Sequence, residues 1–84
     1  MIAKKLVTIK ANELGVGQHG VVSKMEGLPI KTKMRLLDLG ITKGVSLRLL
    51  FRAPFGDPVC IEVRRYKLCI RKDLLDGIIV MVER

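Results

Sequence analysis

Two cysteines and one histidine are the side chains of this sequence best suited to hold a metal ion or to act as nucleophiles. They are Cys60, Cys69 and His19. Zinc prefers four ligands, of which two thiols supply half, and iron sites use histidine with carboxylates or several cysteines. The eight acidic residues are scattered along the chain rather than clustered. The sequence therefore predicts no metal site and no cofactor.

Catalytic chemistry has equally little support. An enzyme would need a nucleophile beside a base, or a pair of acids, and only a chance encounter between a cysteine and His19 offers the first. The sequence also lacks a glycine-rich phosphate motif, an HExxH helix and a CxxC pair. We therefore predict a protein that is not an enzyme and that acts by binding.

The length and charge of the chain define the class of domain. Its 84 residues fit a single domain spanning residues 1–84. Sixteen Lys or Arg against eight Asp or Glu give a net charge of +8, and 49% hydrophobic residues are enough for a core. The longest apolar stretch, residues 78–82, is far shorter than the roughly 20 residues of a membrane helix. Because the sequence shows neither a span nor a signal sequence, we expect a cytoplasmic protein.

Glycines and prolines divide the sequence into short segments, as in a small β-fold. Strands are predicted at residues 7–9, 20–25, 45–52, 59–63, 66–70 and 78–82, a helix at residues 31–39 and a helical turn at residues 74–76. The continuous apolar character of the last segment indicates a strand that is buried on both sides or closes a barrel. The prediction is a mostly β domain of about five to six short strands, with one inserted α-helix and a short helical turn before the last strand.

The predicted helix has apolar side chains on two sides. Ile30, Met34 and Leu37 share one face at the spacing i, i+4 and i+7. Leu36 adds a second apolar side, and Gly40 follows where a helix commonly ends with a left-handed residue. The helix either caps the open end of a barrel or uses part of this surface to dock a partner. Helical periodicity does not decide which of these side chains point inward.

Two segments alternate in a way that specifies the register of a hairpin. Partner numbers sum to 129, which gives the core pairs Val63–Tyr66, Ile61–Leu68 and Val59–Ile70 and the outer pairs Glu62–Lys67 and Cys60–Cys69. The turn contains Arg64 and Arg65, which are poor residues for a two-residue turn. A four-residue loop gives the same register and remains open.

The opposed cysteines, Cys60 and Cys69, are predicted to be free thiols. Opposed residues on adjacent strands have Cβ atoms roughly 4.5–5.5 Å apart, which is too far for an unstrained disulfide. A cytoplasmic chain is also kept in a reducing environment.

The third predicted strand is expected to have an apolar face toward the core and a basic face outward. Together with the hairpin, it gives a basic surface that consists of Arg48, Arg52, Lys67 and Arg71. Such a surface fits phosphates, but RNA-binding sheets present stacking aromatic residues, and the alternation places Phe51 and Tyr66 inward. Nucleic acid is therefore disfavoured, and an acidic protein or the anionic inner leaflet of the membrane is as good an explanation of the basic surface.

Several short motifs occur together along the chain. They are Leu14 with Gly17, the segments 20–22, 35–41, 43–44, 70–72 and 79–82, and the loop 53–58 with the sequence Ala-Pro-Phe-Gly-Asp-Pro. The most specific is the leucine-rich helix followed at this distance by the Pro-Phe-Gly-Asp-Pro loop. From about Asn12 to Val82 the chain resembles the FeoA family, the small ferrous iron transport protein A.

This resemblance implies a cytosolic SH3-like barrel with a helical insert. It also implies an accessory role for FeoB, the membrane permease for ferrous iron, which has a cytosolic GTP-binding domain. The same fold occurs as the C-terminal domain of iron- and manganese-dependent repressors, but the length of this chain favours the transport accessory. Direct, specific binding of ferrous iron is disfavoured. The alternatives are a basic SH3-like module for RNA or another acidic partner, or a regulatory domain related to the C-terminal domain of metal-dependent repressors. Weak self-association remains open.

The docking face is expected on the predicted helix and the loop that follows it. Met34 and Leu37 would be apolar anchors. A partner with acidic groups would be steered by Lys33, Arg35 and Lys43. Binding of this kind would hold the chain at the inner face of the cytoplasmic membrane through its partner.

Overall fold

The strands of this protein form one antiparallel sheet. The structure, a computed structural model, describes residues 4–84, so residues 1–3 of the predicted domain lie outside the described part. The strands are β1 (Leu6–Lys10), β2 (His19–Met25), β3 (Ser46–Arg52), β4 (Val59–Val63), β5 (Tyr66–Ile70) and β6 (Ile78–Glu83), the helices are α1 (Ile30–Asp38) and α2 (Lys72–Leu75), and a 3₁₀ turn covers Ala11–Glu13. The order across the sheet is β1-β6-β2-β3-β4-β5. The predicted mostly β fold, with one inserted helix and a helical turn before the last strand, is confirmed.

The inserted helix lies one residue earlier than predicted. It begins at Ile30 and ends at Asp38. Gly40, just beyond its end, has a φ of 91°, the left-handed conformation in which a glycine without Cβ is not penalised. The glycine therefore marks the end of the helix, which stops one residue before the predicted end.

β6 is the strand around which the core is built. It pairs with β1 on one side and with β2 on the other. The consecutive residues Ile78, Ile79 and Val80 are all buried, so both faces of the strand are covered, as its continuous apolar sequence predicted. α1 adds Leu36 to the same core. Removal of these apolar side chains from water is the main stabilising contribution to such a small domain.

The β4–β5 hairpin has the predicted register. All five partner numbers sum to 129, with Cys60 opposite Cys69 among them. The turn contains only Arg64 and Arg65, with φ values of 46° and 73°, so it is the two-residue turn and not the four-residue loop. Both arginines occupy the left-handed region, which is uncommon for residues with a side chain.

A β-bulge interrupts the predicted alternation of β3. Consecutive pairs between β3 and β4 are Leu49–Ile61, Phe51–Cys60 and Arg52–Val59. Leu50 is the extra residue, and an inserted residue reverses the faces of the strand beyond it. The predictions that Phe51 points inward and Arg52 outward were therefore wrong, and Phe51 is 55% exposed. Tyr66, also predicted to point inward, is exposed at the start of β5.

Gly20 lies where β2 passes close to β6. A Cβ atom at this position would lie 2.8 Å from Cγ2 of Val80 and 3.1 Å from the carbonyl oxygen of Met81. We expect Gly20→Ala to lower the free energy of unfolding by about 1–3 kcal/mol, because the added methyl group overpacks the core. Urea denaturation measures this change. Gly15→Ala is the control, since its Cβ would lie 3.8 Å from the nearest atom, and equal stability of the two variants would contradict the prediction.

Candidate functional site

A groove between α1 and β2 brings together three of the five residues predicted for docking. It encloses about 240 Å³ and is lined by Val22, Ser23, Lys24, Met25, Lys33, Leu37, Ile41 and Lys43. Its lining thus combines apolar side chains with three lysines. The predicted Lys33, Leu37 and Lys43 lie in this feature, which is called the α1 groove below.

α1 directs one leucine into the core and much of its remaining apolar surface to solvent. Leu36 is 2% exposed, whereas Ile30 is 67% and Met34 57% exposed. This settles the orientation that helical periodicity left open. Met34 and Arg35, the other two residues predicted for docking, are exposed on α1 outside the lining of the groove. An exposed apolar patch beside lysines is typical of an interaction surface.

The β4–β5 turn holds the connection that follows α1. Arg64 donates from Nε to the carbonyl oxygen of Gly40 at 3.0 Å and from Nη2 to Oγ1 of Thr42 at 2.9 Å. Hydrogen bonds from a charged donor are stronger than neutral ones. Because Thr42 directly precedes Lys43, the turn helps to position one of the lysines of the α1 groove.

Three of the four residues in the predicted basic surface are exposed. Arg48 donates from Nη1 to the carbonyl oxygen of Gly17. Arg71 pairs with Asp73 at 2.9 Å, and Lys67 is exposed on β5. Arg48 and Arg71 therefore already have partners within the chain.

Arg52, the fourth residue, belongs to a hydrogen-bonded network that sequence reasoning missed. It donates from Nη1 to Oδ1 of Asn12 at 2.8 Å and from Nη2 to the carbonyl oxygen of Asn12. Asn12 in turn donates from Nδ2 to Oδ1 of Asp76 at 3.1 Å. The network joins the end of β3 to the 3₁₀ turn and to the segment after α2. The sequence contains no signal for this network, because it depends on the β3 bulge, which periodicity does not reveal.

Cys60 and Cys69 form a disulfide bond. The Cα atoms of this directly opposed pair are 4.1 Å apart, and the two sulfur atoms are 2.08 Å apart. The prediction of free thiols was wrong, because it assumed Cβ atoms roughly 4.5–5.5 Å apart, whereas β4 and β5 approach more closely at this pair, as the Cα distance shows.

The third candidate metal ligand, His19, does not lie on the strands of the two cysteines. His19 is exposed on β2, whereas Cys60 and Cys69 lie on β4 and β5. Within residues 4–84, no three or more His, Cys, Asp or Glu side chains are grouped so that they could hold a metal ion. None of the helices in that part of the chain has the length and apolar character needed to cross a membrane.

The fold and its surface define a small SH3-like β-domain with an apolar groove bordered by lysines. A family model described as the FeoA domain matches residues 9–82. The chain therefore belongs to the FeoA family, which confirms the resemblance found in the sequence.

Solved structures with the same fold include members of this family. FeoA from Chlorobium tepidum is 31% identical, with a TM-score of 0.77 over 88% of this chain and 70% of that one. The zinc complex of FeoA from Stenotrophomonas maltophilia, described as a prokaryotic SH3 domain protein, is 23% identical, with a TM-score of 0.73 over 90% of this chain and 89% of that one. A manganese-dependent transcriptional repressor is 16% identical, with a TM-score of 0.77 over 87% of this chain and 40% of the repressor. At that identity the repressor shows the shared fold alone.

Proposed function

We propose that this chain is a non-enzymatic accessory protein of ferrous iron transport, which binds the cytosolic GTP-binding region of the FeoB permease through α1 and the α1 groove. Membership of the FeoA family supports the transport role. The observation that carries the docking surface is the α1 groove, which joins Leu37 to Lys33 and Lys43.

The chemistry of the groove specifies the kind of partner segment that it fits. Leu37 and Met25, which lie over the buried Ile41, offer an apolar site for one side chain of the partner, and the lysines attract carboxylates around it. Buried apolar contacts supply most of the affinity, whereas the charges raise the association rate and select the partner. We therefore expect an acidic segment with an apolar anchor.

Binding without chemistry can still regulate transport. A protein that binds one conformation of the permease more tightly shifts its population by the difference in affinity. A preference for one nucleotide state of the GTP-binding domain would link this shift to the nucleotide. Binding would also place the chain at the inner face of the cytoplasmic membrane.

An NMR titration tests this proposal. Isotope-labelled protein is titrated with the isolated cytosolic domain of FeoB, loaded with GDP or with a GTP analogue. We expect shifts at the residues of α1 and the α1 groove that depend on the nucleotide. No shifts with either form, up to roughly millimolar concentration, would contradict docking on this domain. Shifts elsewhere on the barrel would contradict the assignment of the surface but not the partner.

A further inference from the structure

We propose that the loop at residues 53–58 is a membrane-contact site, which inserts Phe55 into the headgroup region of an anionic lipid surface. The loop joins β3 to β4 and has no part in the docking proposed above. The inference does not depend on the permease as a partner.

The loop is held in place by its own hydrogen bonds. Ala53 donates from its backbone N–H to the carbonyl oxygen of Pro58 at 3.0 Å, and Gly56 donates to that of Ala53 at 2.7 Å. Asp57 accepts a hydrogen bond from the backbone N–H of Lys72 at 2.9 Å. These contacts close the loop at its base and attach it to α2, so its tip is ordered before any ligand arrives.

The ordered tip projects a large apolar side chain into water. Phe55 is 97% exposed, so its ring makes no contribution to the core. Phe51, turned outward by the β3 bulge, is also exposed. An aromatic ring on a preorganised loop enters an apolar phase with little loss of conformational entropy. The arrangement is therefore suited to insertion.

Charged residues of both signs flank the tip of the loop. Arg71 and Lys72 are exposed, and Lys72 is the residue to which Asp57 attaches the loop. Asp57 and Asp73 balance the formal charges of Lys72 and Arg71, and Arg71 is paired with Asp73 at 2.9 Å. The attraction to an anionic surface therefore comes from the +8 of the whole chain. The negative potential of an anionic leaflet attracts such a protein, and stable binding to a membrane needs an apolar insertion together with this attraction.

A lipid surface fits the tip better than a single-stranded nucleic acid does. Nucleic acid needs rings that stack on bases and a continuous basic track for the phosphates. Here Phe55 is exposed at the tip of a loop, and the arginines of β3 are engaged, Arg48 with Gly17 and Arg52 with Asn12. A membrane requires no groove, only a protruding apolar group.

The tip and the α1 groove are well separated. α1 connects β2 to the start of β3, whereas the loop leaves the end of β3. The seven residues of β3 extend over about 20 Å. The protein could therefore contact lipid and a protein partner at the same time.

The absence of tryptophan from the sequence allows a direct test of insertion. Phe55→Trp is mixed with vesicles of equal parts phosphatidylcholine and phosphatidylglycerol, and tryptophan fluorescence is recorded. We expect a blue shift and quenching by brominated acyl chains. Ile30→Trp is the matched control on α1, and its emission is expected to stay unchanged. A shift at position 30 equal to or larger than that at position 55, or no shift at position 55, would overturn the proposal.

Vesicle flotation gives a second, independent test. We expect Phe55→Ser to lower partitioning into these vesicles by about tenfold or more and to leave the melting temperature unchanged. For the unsubstituted protein, we expect added salt to weaken binding to the vesicles. Equal partitioning of the two proteins, or equal binding to pure phosphatidylcholine, would contradict a site for anionic lipid. Loss of binding to single-stranded RNA or to the FeoB domain in Phe55→Ser, with vesicle binding unaffected, would assign the tip to that macromolecule instead.

Discussion

Met34→Asp is expected to reduce binding to the cytosolic domain of FeoB on the order of 100-fold, as expected for an apolar hot-spot residue on the α1 part of the docking surface, without lowering the melting temperature. Met34 is exposed on α1, so its replacement costs the folded state little. In the complex the new carboxylate would lose its hydration and repel the acidic groups that the lysines attract. Isothermal titration calorimetry measures the affinity, and thermal unfolding followed by circular dichroism measures the stability.

Two controls make this result specific. Val16→Asp introduces the same charge at an exposed position in the loop between the 3₁₀ turn and β2, and it is expected to bind like the unsubstituted protein. Leu36→Asp buries a carboxylate in the core and is expected to unfold the domain. Normal binding by Met34→Asp would show that Met34 does not belong to the contact, and an equal loss in Val16→Asp would show that the effect is one of charge and not of position.

Arg52→Met is expected to lower the free energy of unfolding by about 2–3 kcal/mol, because it removes hydrogen bonds from a charged donor. Methionine retains much of the length and apolar character of the arginine stem, so the loss reports mainly on the guanidinium group. The carbonyl oxygen and Oδ1 of Asn12 would then lose the donors that they have in the partly buried network. Urea denaturation at constant salt measures the change.

Comparable removal of a charge elsewhere controls for the effect of net charge. Lys31→Met acts at an exposed position of α1 and is expected to change stability by less than about 0.5 kcal/mol. Arg52→Lys keeps the charge but cannot form the two-pronged contact, so it should fall between the two. If Arg52→Met were as stable as Lys31→Met, the network would contribute no measurable stability, which would contradict the prediction.

Local patterns in the sequence were sufficient where one face of an element is buried. The hairpin register follows from the alternation of β4 and β5, since a shift by one residue would place Ile61 and Leu68 in water. The end of α1 follows from Gly40, because few other residues adopt its φ without cost. These features depend on neighbours close in the sequence.

Features that depend on distant segments were not predictable in this way. The bulge at Leu50 arises from the pairing of β3 with β4 and reverses the exposure of Phe51 and Arg52. Two of the five docking residues, Met34 and Arg35, lie outside the groove that unites the other three, because the burial of Leu36 sets the rotation of α1. Periodicity contains no information about that rotation.

The position of β6 between β1 and β2 has a consequence for the folding kinetics of the domain. The hairpin β4–β5 closes a two-residue turn and can form within microseconds. β1, in contrast, pairs with β6, so its pairing closes a loop of most of the chain. Contacts between residues so far apart in the sequence have a high entropic cost of loop closure, and they slow the folding of a two-state domain. The rate-limiting step is therefore expected to be the docking of β6 between β1 and β2, with the β4–β5 hairpin formed earlier.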